Sequence, residues 1–94
     1  MIYKLDDNHN DIVAAFRAVG CRVVELARSQ TKTPGIPDLL VGTRGGQIVF
    51  VEVKTMTGKL SPPQKAFFDE WEGYPVFVAR TTGDVLTIAE FGND

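Results

Sequence analysis

The sequence predicts an α/β domain, a small mixed sheet flanked by helices, with its elements in the order α-β-β-β-α-β-α. Three observations carry that reading. One early segment has apolar residues at helical spacing, and a later one is framed by helix start and stop signals. Between and after them lie four short runs rich in Val, Ile, Leu and Phe, bounded by turn formers. Those runs show few alternating polar positions, which is the pattern of a sheet covered on both sides.

The elements follow in order. HNDIVAAFRAVG sets Ile12, Val13, Phe16 and Val19 near i, i+3, i+4, i+7 spacing, and Gly20 supplies a C-terminal stop, so a helix is expected over 8–19. CRVVELA reads as a β-branched strand, RSQTKTPGI as a loop, PDLLVG as a second strand and QIVFVEVKT as a third. In SPPQKAFFDEWEG, Ser61 is an N-cap, Pro62 suits the first helical position, Gln64 completes a capping box and Gly73 ends the helix. YPVFVAR is a fourth strand. The tail TTGDVLTIAEF fits a short capped helix or a hairpin arm turning at Gly83-Asp84, and helix is the reading preferred here.

Composition excludes several classes. With 94 residues, 44% hydrophobic and 23% charged, the chain has the profile of one globular domain without repeats, low-complexity tracts or linkers. A core of this size is only marginally stable alone, so a partner subunit would help. MIYKLDDNHND is too acidic, and its apolar part too short, for a secretory signal; the expected compartment is the cytoplasm. The single Cys21 and single His9 cannot build a disulfide or a zinc cluster, which leaves oxygen ligands for any metal. Net charge is -2, against a passive nucleic-acid binder, yet charge is segregated. Between Ala27 and Lys65, six basic residues (Arg28, Lys32, Arg44, Lys54, Lys59, Lys65) face two acids, Asp38 and Glu52. That run is either a solvated surface or a footprint for phosphates.

The third strand poses the functional question, because Glu52 and Lys54 interrupt an otherwise apolar run. Charges in a central strand are tolerated when paired, hydrated in a cleft or bound to an ion. Period-two geometry puts both on the face of Ile48 and Phe50, opposite Val49, Val51 and Val53. If the hairpin loop is Arg44-Gly45-Gly46, with a glycine in the left-handed conformation, Thr43 faces Gln47 and facing residue numbers sum to 90. Asp38 then lies opposite Glu52, with β-carbons about 4.5–5.5 Å apart. Two carboxylates beside a lysine suit a hard divalent cation. The structural alternative is a Lys54 salt bridge to one carboxylate, with the other exposed at a strand end.

The pattern Gly35-Ile-Pro-Asp38, then Val51-Glu-Val-Lys54, then Gly58-Lys-Leu-Ser61 and Gln64, resembles the VRR-NUC branch of the PD-(D/E)XK nuclease superfamily over nearly the whole chain. The resemblance implies a restriction-endonuclease-like core, of the type found alone in phages and bacteria. It implies metal-dependent phosphodiester hydrolysis, with Asp38 and Glu52 as ligands of Mg²⁺ or Mn²⁺, the Val53 carbonyl completing the coordination, and Lys54 near the attacking water and scissile phosphate. Gln64 matches a family glutamine that orients water or phosphate, although its capping-box role is an equally good reading and one side chain is not expected to serve both. For the family's further acid on the first helix, Asp11 is the choice; an aspartate in a first turn also simply complements the helix dipole. His9 reads as a surface residue of the cap region.

The expected partner is DNA, contacted through Arg28, Lys32, Arg44, Lys59 and Lys65. A chain this short leaves little for reading base edges, so structure-selective cutting of branched, junction-like DNA by a homodimer is expected. The alternative is a catalytically silent DNA-binding, assembly or regulatory module of the same fold, which would be expected to lack one of Asp38, Glu52 or Lys54.

Overall fold

The computed structural model describes residues 6–28 and 33–93. Helix α1 (His9–Ala18) leads into strand β1 (Arg22–Glu25), a single 3-10 turn (Leu26–Arg28), β2 (Leu39–Gly42), β3 (Ile48–Val53), α2 (Pro62–Glu70), β4 (Val76–Ala79) and α3 (Thr82–Ala89). The expected order holds, and the ambiguous tail is a helix. Its start explains why: Thr81 accepts from the Asp84 N–H while the Asp84 carboxylate accepts from the Thr81 N–H, a second capping box alongside that of Ser61 and Gln64.

The four strands pair in sequence order, β1-β2 and β2-β3 antiparallel and β3-β4 parallel, with α2 as the crossover between the parallel pair. Leu39 faces Val51 and Gly42 faces Ile48, the register that a three-residue loop demands. Gly46 holds φ +77, and its N–H donates to the Thr43 carbonyl. A left-handed residue closes the hairpin there, and only glycine enters that region without penalty.

One face of the sheet is the core. Leu39, Val41, Val49, Val51, Val53 and Ala79 pack against Ile12, Val13 and Phe16 of α1 and against Val85, Ile88 and Ala89 of α3. The other face carries α2 through an aromatic group, in which Phe50 of β3 stands edge-on to Phe67 and Trp71. Farther from α2 this face is bare: Ile48 is 63% exposed and Val24 51%.

His9 corrects the surface assignment, since only 1% of it is exposed. The reason is long-range. The Asn8 amide donates to the carbonyls of Lys54 (3.0 Å) and Arg80 (3.2 Å), bracing the start of α1 against the ends of β3 and β4. His9 is thereby carried under the sheet edge, where its Nε2 meets the Glu25 carboxylate at 3.0 Å.

Candidate active site

The open end of the β2-β3 hairpin gathers the expected charges. Asp38 immediately precedes β2, and Glu52 is the penultimate residue of β3. The observed register, extended one residue, sets them opposite each other. The next pair out would be Pro37 and Val53. Proline has no N–H to donate, so the ladder is interrupted there. The Val53 carbonyl is left without a donor from the facing residue, while the Val53 N–H donates to Asp38 Oδ2 at 3.0 Å. The Pro-Asp dipeptide thus both ends the strand pairing and fixes the carboxylate.

Glu52 is 2% exposed, a carboxyl buried on the face of the sheet opposite the main core. Its Oε2 accepts from Gln64 Nε2 at 2.9 Å and lies 3.7 Å from Lys54 Nζ. Among the described residues its Oε1 has no partner in a regular hydrogen bond, although the Asp38 carboxyl is in contact with Glu52, and Asn8 Oδ1 and His9 Nδ1 at the start of α1 likewise have none. Burial, followed by the negative charge of Asp38, pushes the Glu52 carboxyl up from 4.5 to about 8. Burial also raises Asp38, with the Val53 N–H and then the Glu52 carboxyl opposing that rise. A buried and a half-buried carboxyl in mutual contact, with a main-chain carbonyl at hand, form a donor set that fits a hard divalent cation. The structural alternative fits less well, because Asp38 is partly buried and hydrogen-bonded instead of exposed at a strand end. Among the described residues no group of three or more His, Cys, Asp or Glu side chains converges, so the protein's share of a coordination sphere is two carboxylates and main chain.

Gln64 makes the capping box and also contacts the candidate site through Glu52. Its Oε1 accepts from the Ser61 N–H at 2.8 Å while its Nε2 donates to Glu52. An amide has separate acceptor and donor ends, so the helix cap aims the donor at the carboxylate. Gly35 is what holds α2 at that distance. It has φ +73, and a β-carbon there would lie 2.1 Å from the Pro63 carbonyl oxygen, so the loop before Asp38 rests directly on the first turn of α2.

The remaining candidates separate. Asp11 is exposed, on the side of α1 away from the buried His9, Ile12, Val13 and Phe16. His9 and Asp6 are the residues near α1's start whose charges act on Asp38. Arg28 is engaged with Glu25 at 2.8 Å and with Asn10 at 2.9 Å, and that contact is the chief cause holding Glu25 below the usual carboxylate range. Arg44 sits at the hairpin turn, roughly 17 Å or more along the strands from Glu52, and pairs with Glu90 at 2.9 Å. Lys59 and Lys65 are exposed beside α2's start, close to Gln64. Lys32 lies outside the described residues. Sequence reasoning missed two residues: Asn8, and Arg80, whose guanidinium donates to the carbonyls of Thr55 and Gly58 (both 2.6 Å) and so fixes the turn after Lys54. Neither carries a local signal, because both act on carbonyls distant in sequence.

Residues 3–84 match the model of the VRR-NUC domain family. A solved structure described as a VRR_NUC domain superposes with a TM-score of 0.67 at 32% identity, over 87% of this chain and 89% of that one. Among curated proteins none matches.

Proposed function

The chain belongs to the VRR-NUC family, a nuclease-type branch of the PD-(D/E)XK superfamily, and on that premise we propose that it hydrolyses phosphodiester bonds of DNA with a divalent cation held by Asp38, Glu52 and the Val53 carbonyl. The observation that carries this is Glu52: a buried carboxyl held against a second one, with one oxygen lacking a hydrogen-bond partner among the described residues. Such an arrangement is unfavourable unless it binds something positive.

When bound, Mg²⁺ or Mn²⁺ supplies a more acidic water and polarises a phosphoryl oxygen. The protein's own residues supply position and charge. The Val53 N–H orients Asp38, and Gln64 holds Glu52 through Oε2, which leaves Oε1 for the cation. Lys54 is near enough to offset negative charge developing on the phosphate, and it needs no proton transfer to do so. Lys59 and Lys65 are placed to hold flanking phosphates, and Arg28 and Arg44 recede from that role because each already has a carboxylate.

Structure-selective cutting of branched DNA by a two-fold dimer extends the same reading. One small domain offers one catalytic centre, and paired cuts need two. Asp11 has no part in it. Incubation with linear, flapped and four-way DNAs, with and without Mg²⁺ or Mn²⁺, tests the reading. Metal-dependent cleavage that disappears in Asp38→Asn supports it; cleavage unaffected by a chelator or by that substitution overturns it. A mass of about 10 kDa in light scattering, with unpaired nicks, would overturn the dimer alone.

A further inference from the structure

Beside the carboxylate pair lies a cavity of about 440 Å³, within the size range of small-ligand sites. Its floor and one wall are aromatic. Phe67 and Trp71 of α2 stack with centroids 5.3 Å apart and planes 10° from parallel, and Phe50 abuts both edge-on. Pro63 lines it from the same face of α2, and Ile36 comes from the loop that Gly35 brings onto that helix. Glu70, an exposed residue at the end of α2, also lines it.

Resting on the nuclease reading above, we infer that this cavity receives one unpaired nucleobase of the DNA substrate, next to the bond that is cut. Three features select that occupant. The first is continuity with the candidate active site. Phe50 and Glu52 are two residues apart on one face of β3, roughly 7 Å, and Gln64 and Pro63 are neighbours on α2, so a strand whose phosphate lies at Glu52 reaches the cavity with its adjacent base. The second is shape and chemistry: stacked aromatic side chains bind the faces of bases without regard to sequence. The third is charge. Glu70 repels phosphate but can accept the imino hydrogen of a base's pairing edge, a hydrogen that is free only when the base is unpaired. Lys59 and Lys65, both exposed nearby, are left for the backbone. The selectivity for distorted DNA would then reside in a pocket that paired bases cannot enter.

Trp71 is the chain's single tryptophan, so its fluorescence reports on the cavity directly. The experiment uses three metal-free, chelated duplexes that cannot be cut: one with a single-base bulge, one with an abasic bulge and one fully paired. The bulged base is expected to quench Trp71, shield it from iodide and bind about tenfold more tightly than either control. Ala66→Phe fills the cavity from an exposed helix position and should reduce the bulged duplex to the level of the controls, while Mn²⁺ still raises the melting temperature. Equal affinity for all three duplexes, tight binding without a change in Trp71 emission, or undiminished preference in a folded Ala66→Phe protein would each overturn the inference. So would a Trp71 signal that follows protein concentration alone, which would make a second copy of the chain the occupant. If the three duplexes behave as expected but no DNA is cut with Mn²⁺ added, the hydrolytic reading fails and the base pocket stands.

Discussion

The two faces of β3 are built from one six-residue stretch and do opposite work. Val49, Val51 and Val53 point into a dry layer closed by α1 and α3, where each gains from leaving water. Ile48, Phe50 and Glu52, with Lys54 beyond, point to a face where α2 covers only one end, and there the sequence places two charges, a bare isoleucine and an aromatic cluster. Alternation along the strand therefore separates what stabilises the fold from what gives it chemistry. Either face can be altered with little effect on the other, provided the register is kept.

The largest expected effects break one face at a time. Val51→Asp puts an unpaired charge in the dry layer and should unfold the protein, costing more than about 4 kcal/mol; loss of the cooperative thermal transition in circular dichroism checks it. Glu52→Gln, one residue away, should lower cleavage by at least about a hundredfold while leaving the metal-free melting temperature at pH 8 unchanged or higher, because it removes a carboxyl that resists ionisation. If both variants melt alike, the separation of the faces is wrong.

Gly35→Ala tests how the chemical face is assembled. Its φ and the 2.1 Å approach to Pro63 force the loop away from α2, at a cost of about 1–3 kcal/mol, with the Gln64 contact to Glu52 lost. Urea unfolding together with Mn²⁺ titration should show stability and metal affinity falling together.

The pH response sharpens the contrast further. Folding raises Glu52 from 4.5 to about 8, so the folded chain holds that proton more tightly than the unfolded one. Its contribution to metal-free stability is complete below about pH 4.5 and is lost as pH rises through about 8. A divalent cation competes with the same proton, so the rise in melting temperature caused by Mn²⁺ should be larger at pH 8 than at pH 6, and absent in Asp38→Asn. An identical rise at both pH values would place the ion elsewhere.

The smallest effect divides the two jobs of one side chain. Ser61→Ala removes only the helix cap and should cost about 1 kcal/mol. Gln64→Ala should cost a similar amount and also weaken Mn²⁺ binding, which calorimetry would show as a difference between the variants.

What was legible in the sequence was whatever depends on local spacing. A three-residue loop fixed the register that sets Asp38 against Glu52, and Ser61 to Gln64 declared the start of α2. What was not legible depends on partners far along the chain. His9 looked exposed because nothing near it signals Glu25 or the brace at Asn8. The charge run from Arg28 to Lys65 does not show that Arg28 pairs with Glu25 and Arg44 with Glu90. The contact of Gln64 with Glu52 has no local signal either, because a capping box specifies where its oxygen goes and leaves its nitrogen unassigned.

The brace at Asn8 also bears on the order of folding. Its bond to the Arg80 carbonyl joins residues 72 apart, the kind of contact whose loop-closure cost delays it in folding. The β2-β3 hairpin can form early and bring its two carboxyls together, but Asn8, which also holds the Lys54 carbonyl, gains its second anchor only when β4 has joined the sheet. A chain interrupted before Arg80 would hold the acidic pair without that anchor, so full assembly of the site is expected to coincide with the last slow phase of folding.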